Sequence, residues 1–371
     1  MMTILRSFAM AAAFTPAMFA QYVAYFGTYT HTDKSKGIYA YRFDPADGKF
    51  ASIGLAAETA NPAFLAVHPN GQFLYAVHEQ GDGGVSAFAI DGQSGRLKLL
   101  NRVKSRGSGP CHLTLDKTGD WLFAADYGSG SVEAYPVHKD GTLGELSGFV
   151  QHTGSSINPD RQKGPHAHGV FVSPDNRFLL VPDLGLDKVM VYRIDRAKGS
   201  LAANDPPFFK IASGYGPRHL AFHPNGRLVY VLTEMGARVV ACRYDASAGV
   251  LQEIETIDAL PAGYTGVRSG AEIAIDPAGR FLYASLREYN SIAIFAIHAA
   301  DGKLTALGHV STGGKTPRAF AIDPTGAYLL AGNENSDNVV VFRIDRKTGQ
   351  LAPTGSTLEV PSPVSVVFVK K

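Results

Sequence analysis

Short stretches in which apolar and polar residues alternate recur along this chain, and turns that contain glycine separate them. Strict alternation is typical of half-buried β-strands. Seven such stretches each lead into a turn with glycine and then an apolar residue: residues 38–43, 85–90, 132–137, 189–194, 239–244, 292–297 and 339–344. The pattern predicts seven strand–turn–strand hairpins at intervals of roughly fifty residues.

A second turn recurs six times and joins two further strands of each unit. It reads His-Pro-Asn-Gly at residues 68–71 and 223–226, where proline at the second position and glycine at the fourth suit a type I turn. The first unit lacks this turn. Residues 361–369 match the start of a unit and then stop, so six whole units and one unit split between the termini make seven.

Seven units of four strands predict an all-β chain folded as a seven-bladed β-propeller, with four antiparallel strands per blade. We expect the C-terminal strand to pair with the N-terminal strand at residues 22–28 and close the ring, because closure removes open sheet edges. Residues 21–371 then form a single domain. A β-helix or an open array would not need termini that complement one another.

The composition agrees with a β-rich fold and limits the classes of partner. The chain contains 40 glycines, 16 tyrosines and 21 phenylalanines, which suits many short strands and tight turns. A net charge of +2 without a cluster of Lys or Arg gives no reason to expect nucleic acid. Cys111 and Cys242 have neither metal-ligand spacing nor a disulfide framework, so we expect them to be small buried residues.

The first twenty residues differ from the rest of the chain. Arg6 precedes the apolar run 8–14, and Ala20 supplies a small residue at a cleavage site, which is the order of a secretory signal peptide. We therefore expect a periplasmic or secreted protein. Met18 stands where a small residue is preferred, so a cytoplasmic leader or a misplaced start codon is the alternative. No other apolar run is long enough to span a membrane.

Two positions of the repeat vary from copy to copy, whereas the turn residues recur. Six residues before the turn proline, or its equivalent, the copies carry Ala63, Cys111, His168, Arg218, Ala271 and Arg318. At the end of the next strand they carry Glu79, Asp126, Asp183, Glu234, Arg287 and Asn333. Both positions face one mouth of a propeller, where gathered charges are costly unless paired or solvated. We predict an anion-binding or acid–base pocket at this axial cleft.

Structural roles for several of these residues remain open. Arg218 and Glu234 start and end one hairpin and could serve as an ion pair that locks it. Asp126 and Asp183 open turns that contain glycine, where Asp commonly caps its own backbone.

Three histidines near the variable positions have structural alternatives as well. By alternation, His112 and His219 are expected to face the other side of their sheets as packed core residues. His166 follows the longest insertion, residues 154–163, and could simply hold that loop.

Four segments resemble the seven-bladed propeller lactonase family, which includes the bacterial propeller-type 6-phosphogluconolactonases and the fungal carboxymuconate lactonizing enzymes. The segments are residues 165–168 (Pro-His-Ala-His), 216–226 (Gly-Pro-Arg-His-Leu-Ala-Phe-His-Pro-Asn-Gly), 281–285 (Phe-Leu-Tyr-Ala-Ser) and 316–318 (Thr-Pro-Arg). The resemblance covers residues 22–369 and implies four functional residues, His168, Arg218, Glu234 and Arg287.

The resemblance implies hydrolysis of a sugar-acid lactone by non-covalent acid–base chemistry. Glu234 or His168 would act as general base and the other as proton donor. The arginines would bind the anionic group of the substrate and stabilise the oxyanion. Further substrate-binding candidates are Arg318, Asp126, Asp183 and His166.

No metal or other cofactor is expected, since arginines interrupt the acidic candidates and disfavour a dication. The export signal argues against 6-phosphogluconolactone, because sugar phosphates are not normally available outside the cell. Two alternatives stay open: cyclisation of a muconate-like dicarboxylate, and an exported non-catalytic propeller that binds a carbohydrate or protein. The sequence leaves the substrate and the oligomeric state undetermined.

Overall fold

A computed structural model of the protein describes residues 22–31, 34–80 and 83–371. Within these residues the chain forms seven antiparallel sheets of four strands each. This confirms the all-β, seven-bladed propeller predicted from the repeat. The signal peptide predicted for residues 1–20 lies outside the described residues.

One blade is shared between the two ends of the chain. From the axis outward it contains β28 (Pro363–Lys370), β1 (Tyr22–Thr28), β2 (Gly37–Asp44) and β3 (Lys49–Glu58). In the centre of this sheet Tyr22 of β1 pairs with Lys370 of β28 on one side and with Phe43 of β2 on the other. The C-terminal strand therefore closes the ring as the sequence predicted.

The other six blades follow in chain order, and each begins with its innermost strand. The first three are β4 (Pro62–Val67), β5 (Phe73–His78), β6 (Gly84–Ile90) and β7 (Leu97–Val103); β8 (Pro110–Leu115), β9 (Trp121–Asp126), β10 (Ser131–Pro136) and β11 (Gly148–Gln151); and β12 (Phe171–Val172), β13 (Phe178–Asp183), β14 (Lys188–Asp195) and β15 (Ser200–Lys210).

The last three blades follow the same order and include one short 3₁₀ helix after β25. They are β16 (Pro217–Phe222), β17 (Leu228–Thr233), β18 (Arg238–Asp245) and β19 (Val250–Asp258); β20 (Gly270–Ile275), β21 (Phe281–Leu286), β22 (Ser291–Ile297) and β23 (Leu304–Ser311); and β24 (Pro317–Ile322), β25 (Tyr328–Asn333), the 3₁₀ helix Glu334–Ser336, β26 (Asn338–Ile344) and β27 (Leu351–Glu359).

The His-Pro-Asn-Gly turns join strands within a blade and also contact the next blade. The amide of Gly71 donates to the carbonyl oxygen of His68 at 2.8 Å, and Gly226 donates to His223 at 2.9 Å. These bonds close the predicted β-turns. The imidazole Nε2 of His68 lies 3.1 Å from the carbonyl oxygen of Gly119 in the neighbouring blade. The histidine of the turn is thus used to hold blades together.

Buried tyrosines in the second strands make another contact between blades. A buried phenol needs a hydrogen-bond partner, and here it donates to the carbonyl oxygen of a glycine in the outer turn of the next blade. Four such pairs, at 2.8–3.0 Å, are Tyr25–Gly95, Tyr75–Gly141, Tyr230–Gly302 and Tyr283–Gly349. The glycines adopt positive φ angles that favour this residue. These bonds help to fix the ring that positions the axial strand ends.

The innermost strands share an irregularity at the end that faces the mouth. In β16 the register shifts between Pro217 and His219, so Arg218 is an extra residue opposite β17. Equivalent shifts occur in β4, β8, β20 and β24. A bulge interrupts the alternation of side chains and redirects them. In these five strands the bulge contains the variable repeat position predicted from sequence, whereas His168 lies before β12, whose pairing shows no such shift.

Candidate active site

Three consecutive blades bring four side chains together at one end of the axis. His168 lies just before β12, Arg218 is the second residue of β16, Glu234 follows β17, and Arg287 follows β21. Because β16 and β17 are antiparallel, the start of one lies beside the end of the other. The four residues that the sequence singled out as catalytic candidates are thus neighbours in the structure.

The carboxylate of Glu234 lies at the centre of this group. Its Oε2 atom is 3.0 Å from Nη2 of Arg287, 3.3 Å from Nε of Arg218 and 3.5 Å from Nε2 of His168. The side chain of Glu234 is only 7% exposed. Since little water screens these charges, their interaction is stronger than it would be at the surface.

The two inner arginines are held in place by carbonyl oxygens of β20. Arg218 donates from Nη1 to the oxygen of Ala271 at 2.5 Å, and Arg287 donates from Nη2 to the oxygen of Gly270 at 3.3 Å. The buried Nε atom of Arg287 makes no hydrogen bond within the described residues, and that of Arg218 has only the 3.3 Å contact with Glu234. The site therefore contains fixed cations with spare donor capacity.

Burial and the nearby charges determine the protonation of the central pair. Burial alone would raise the pKa of the Glu234 carboxyl, but Arg287, His168 and Arg218 hold it well below its usual value. Burial and then Arg218 lower the pKa of His168 to about 4. At neutral pH the carboxylate is ionised and the imidazole is neutral, so the positive charge of the site resides on arginines.

A further cation, which sequence reasoning missed, reaches the same carboxylate from an inserted loop. Arg161 lies between β11 and β12, and its Nη2 atom donates to Oε1 of Glu234 at 2.8 Å and to the hydroxyl of Tyr127 at 2.9 Å. Its side chain is 44% exposed. The available signal was a cation within the longest insertion, directly before the segment that carries His168. We call Glu234, His168, Arg218, Arg287 and Arg161 the Glu234 cluster.

His166 contacts Tyr127, the residue that binds Arg161, and makes no contact with Glu234 among the described residues. Its Nδ1 atom lies 2.8 Å from the carbonyl oxygen of Tyr127, and the two rings stack with their centroids 4.5 Å apart. The hydroxyl of Tyr127 in turn accepts the hydrogen bond from Arg161. His166 therefore supports the residue that orients the outer guanidinium.

Arg318 belongs to a second cluster at the mouth. Its Nη2 atom is 3.9 Å from Oε2 of Glu79, and its guanidinium lies 5.2 Å from the ring centroid of Tyr29. The hydroxyl of Tyr29 donates to the same Glu79 oxygen at 2.6 Å. We call these three residues the Glu79 cluster. It is close enough to the first that burial, Arg318 and Arg287 lower the pKa of Arg218 to about 10.

Asp126 and Asp183 lie inside the protein and bind groups near their own turns. Asp183 contacts Nδ1 of His152 at 2.6 Å through one oxygen and accepts the amide of His166 at 2.8 Å through the other. Asp126 accepts the hydroxyl of Ser131 at 2.8 Å. Neither carboxylate has solvent exposure. These contacts favour the structural alternative, and we leave both residues outside the proposed site.

His112 and His219 face the axis, so the orientation predicted for them from alternation was wrong. Next to the bulge in β16, a ring nitrogen of His219 lies 3.3 Å from Nη1 of Arg218, Nδ1 lies 3.0 Å from Oε1 of Glu272, and the ring centroid is 5.9 Å from that of Phe64 in β4. The rings of His112 and His219 are 5.0 Å apart. Burial is the main reason that the pKa values of both histidines lie well below normal. The next cause is His219 in the case of His112, and Arg218 in the case of His219. Both residues are buried, as expected, and form a neutral layer beneath the mouth.

Both cysteines are buried, as predicted. The Sγ atom of Cys111 lies 3.8 Å from Nδ1 of His168, and burial raises the pKa of its thiol. The thiol therefore stays protonated beside the site. The described residues contain no group of three or more His, Cys, Asp or Glu side chains suited to a metal ion. Within the same residues, no helix is long and apolar enough to cross a membrane.

Comparison with known proteins relates the chain to one family over nearly its whole length. The family model described as "Lactonase, 7-bladed beta-propeller" matches residues 23–368. A 6-phosphogluconolactonase of Bacillus subtilis is 37% identical over 295 residues, which cover 79% of this chain and 83% of that protein. A 6-phosphogluconolactonase of Formosa agariphila is 35% identical over 295 residues, which cover 78% of this chain and 83% of that protein.

A solved structure also matches the propeller closely. The periplasmic gluconolactonase of Pseudomonas aeruginosa superposes with a TM-score of 0.90 at 36% sequence identity. The match covers 94% of this chain and 99% of that protein. Similarity in sequence and in three-dimensional structure thus extends over all seven blades.

Proposed function

The chain belongs to the seven-bladed β-propeller lactonase family, which makes it a carboxylic ester hydrolase, and we propose that it hydrolyses the lactone of a sugar acid at the Glu234 cluster. One observation carries the choice of this site: a buried carboxylate is surrounded by three guanidinium groups and one imidazole. This arrangement combines a proton acceptor with cations for an anionic substrate and an oxyanion. Lactone hydrolysis needs both.

Geometry favours Glu234 over His168 as the general base. His168 directs Nε2 to Oε2 of Glu234 at 3.5 Å and Nδ1 to the thiol of Cys111 at 3.8 Å, so protein groups face both nitrogens. Oε2 of Glu234 contacts three inner groups, whereas Oε1 is bound, among the described residues, only by the partly exposed Arg161. In this scheme Oε1 takes the proton of the attacking water and returns it to the ring oxygen as the carbon–oxygen bond breaks.

The inner arginines are suited to stabilising the oxyanion. Arg218 and Arg287 are held by backbone carbonyls, and the buried Nε of Arg287 has no hydrogen-bond partner among the described residues. An unsatisfied buried donor is costly in the free protein. A developing negative charge on the carbonyl oxygen would engage such preorganised donors, which stabilises the transition state relative to the ground state.

A panel of lactones on the purified protein tests this function. We expect turnover of at least one aldonolactone well above the spontaneous rate, followed as acid release at constant pH. Glu234→Gln should lower kcat/KM, while circular dichroism and thermal unfolding confirm that the variant folds. A folded Glu234→Gln protein with the wild-type rate would show that Glu234 is not the base.

The positive charge of the cluster also suits a muconate-like dicarboxylate, so the panel includes one. Cyclisation of such a compound would be detected as loss of diene absorbance. Turnover of the dicarboxylate together with inertness toward every lactone would replace hydrolysis by cyclisation as the function. Saturable binding of a carbohydrate without turnover in any arm would instead support a non-catalytic propeller.

We further propose that the protein works outside the cytoplasm. The charged and apolar order of residues 1–20 supports export, and the superposable enzyme of Pseudomonas aeruginosa is a periplasmic gluconolactonase. Fractionation of the native host with an antibody against the propeller is the direct test. Recovery of the full-length chain in the cytoplasm alone would exclude export.

A further inference from the structure

The three arginines of the Glu234 cluster differ in their solvent exposure and in the protein groups that they bind. The side chains of Arg218 and Arg287 are 4% and 13% exposed, and both bind backbone carbonyls. The side chain of Arg161 is 44% exposed and binds only the carboxylate and a tyrosine hydroxyl among the described residues. Because three guanidinium groups face one carboxylate, the cluster has an excess of positive charge, and its outermost cation is the accessible one.

Hydrogen bonds order the loop that carries Arg161, although the side chain of Arg161 is partly exposed. The side-chain oxygen of Asn158 accepts the amides of Asp160 and Arg161, each at 3.0 Å. Gln162 is fully buried and donates from its amide side chain to the carbonyl oxygen of Leu184 at 2.8 Å. The backbone thus holds Arg161 at a defined place beside the mouth, while its long side chain can change partners.

The contacts of the two Glu234 oxygens show what such a change would do. Oε2 contacts His168, Arg218 and Arg287, whereas Oε1 is bound by Arg161. The hydrogen bond from Arg161 occupies one acceptor site of Oε1, and its positive charge lowers the basicity of that oxygen, so displacement of the guanidinium would leave a better proton acceptor for the attacking water. Because the side chain of Arg161 is 44% exposed, a substrate anion that enters from the mouth can take the place of Glu234 as its partner.

We propose that Arg161 is a specificity-determining residue that binds an anionic substituent of the lactone, a carboxylate or a phosphate, and in doing so leaves Oε1 of Glu234 for the attacking water. The inference rests on the proposed lactone hydrolysis. Guanidinium forms two parallel hydrogen bonds with either anion, so the geometry admits both. Arg318 is less suited, since Glu79 and Tyr29 already engage it.

Three lactones distinguish the possible anions: 6-phosphogluconolactone, a glucarolactone with a free carboxylate, and uncharged glucono-δ-lactone. We expect the wild-type protein to prefer at least one acidic lactone. Arg161→Gln should lower the ratio of kcat/KM for that lactone to kcat/KM for the uncharged one by about 10–100-fold. Arg161→Lys keeps the charge but not the paired donors, so its ratio should fall between the two.

The matched control is Lys163→Gln, which removes the same charge from the same exposed loop without a contact to Glu234 among the described residues. Its selectivity ratio should stay at the wild-type value. Equal losses on all three lactones in Arg161→Gln would indicate a structural ion pair and overturn the inference, as would a wild-type enzyme that handles the uncharged lactone as well as both acidic ones. Either result leaves lactone hydrolysis standing, whereas no turnover of any lactone refutes both proposals.

Discussion

The two ion clusters at the mouth of the propeller occupy equivalent positions in the repeat. Arg218 and Arg318 both lie at the bulge of an innermost strand. Glu234 and Glu79 both directly follow the second strand of a blade. The repeat therefore places a cation and a carboxylate at the same end of the axis twice.

Their neighbours make the two clusters chemically different. Glu79 contacts one guanidinium at 3.9 Å and accepts a phenol hydroxyl at 2.6 Å, so its charge is balanced. Glu234 contacts three guanidinium groups and an imidazole, which leaves the surrounding region positive. The first arrangement suits a structural ion pair, and the second retains capacity for an anion. Position in the repeat determines where a charge lies, and its neighbours determine what it can do.

The largest expected difference is between the two carboxylates. Glu234→Gln removes the proposed base and should lower kcat/KM on the order of 10²–10⁴-fold. Glu79→Gln removes a carboxylate from the equivalent position and should lower kcat/KM much less, because Glu79 has no proton-transfer role in this scheme. Steady-state kinetics on the preferred lactone measures both. Similar losses in the two variants would mean that the clusters act as one site.

Substitution of an arginine should also lower activity more in the Glu234 cluster than in the Glu79 cluster, but the difference should be smaller than for the two carboxylates. Arg287→Gln removes a proposed oxyanion donor, and loss of one such donor costs on the order of 10²–10³-fold in kcat. Arg318→Gln should change kcat much less, because Arg318 makes no contact with Glu234 among the described residues. A larger defect in Arg318→Gln than in Arg287→Gln would move the proposed oxyanion site to the Glu79 cluster.

The smallest expected effect is a shift in pH dependence. Activity in this scheme requires ionised Glu234, so it is present above the pKa of that carboxyl and lost as pH falls through it. Burial raises this pKa, but Arg287, His168 and Arg218 more than offset that rise. Removing Arg287 raises the pKa and should move the acidic limb of kcat/KM to higher pH. The same profile for Arg318→Gln serves as the comparison, and an unmoved limb in Arg287→Gln would argue against Glu234 as the base.

Sequence reasoning succeeded and failed for identifiable physical reasons. It predicted that His168, Arg218, Glu234 and Arg287 lie close together, because equivalent positions of a closed ring meet at the same mouth. The structure shows these contacts. It misplaced His219, because strict alternation ignores the extra residue of a bulge. A bulge depends on pairing with the neighbouring strand, so the pattern of one strand does not reveal it.

The sequence by itself determined the ring, its seven blades and the split blade, since strand alternation and turn chemistry act over a few residues and are repeated. Only the tertiary structure decided which charges touch. Arg161 lies in an insertion outside the repeat, and its contact with Glu234 depends on the path of that loop and the length of the side chain. Contacts between residues so distant along the chain follow from packing, which no local pattern specifies.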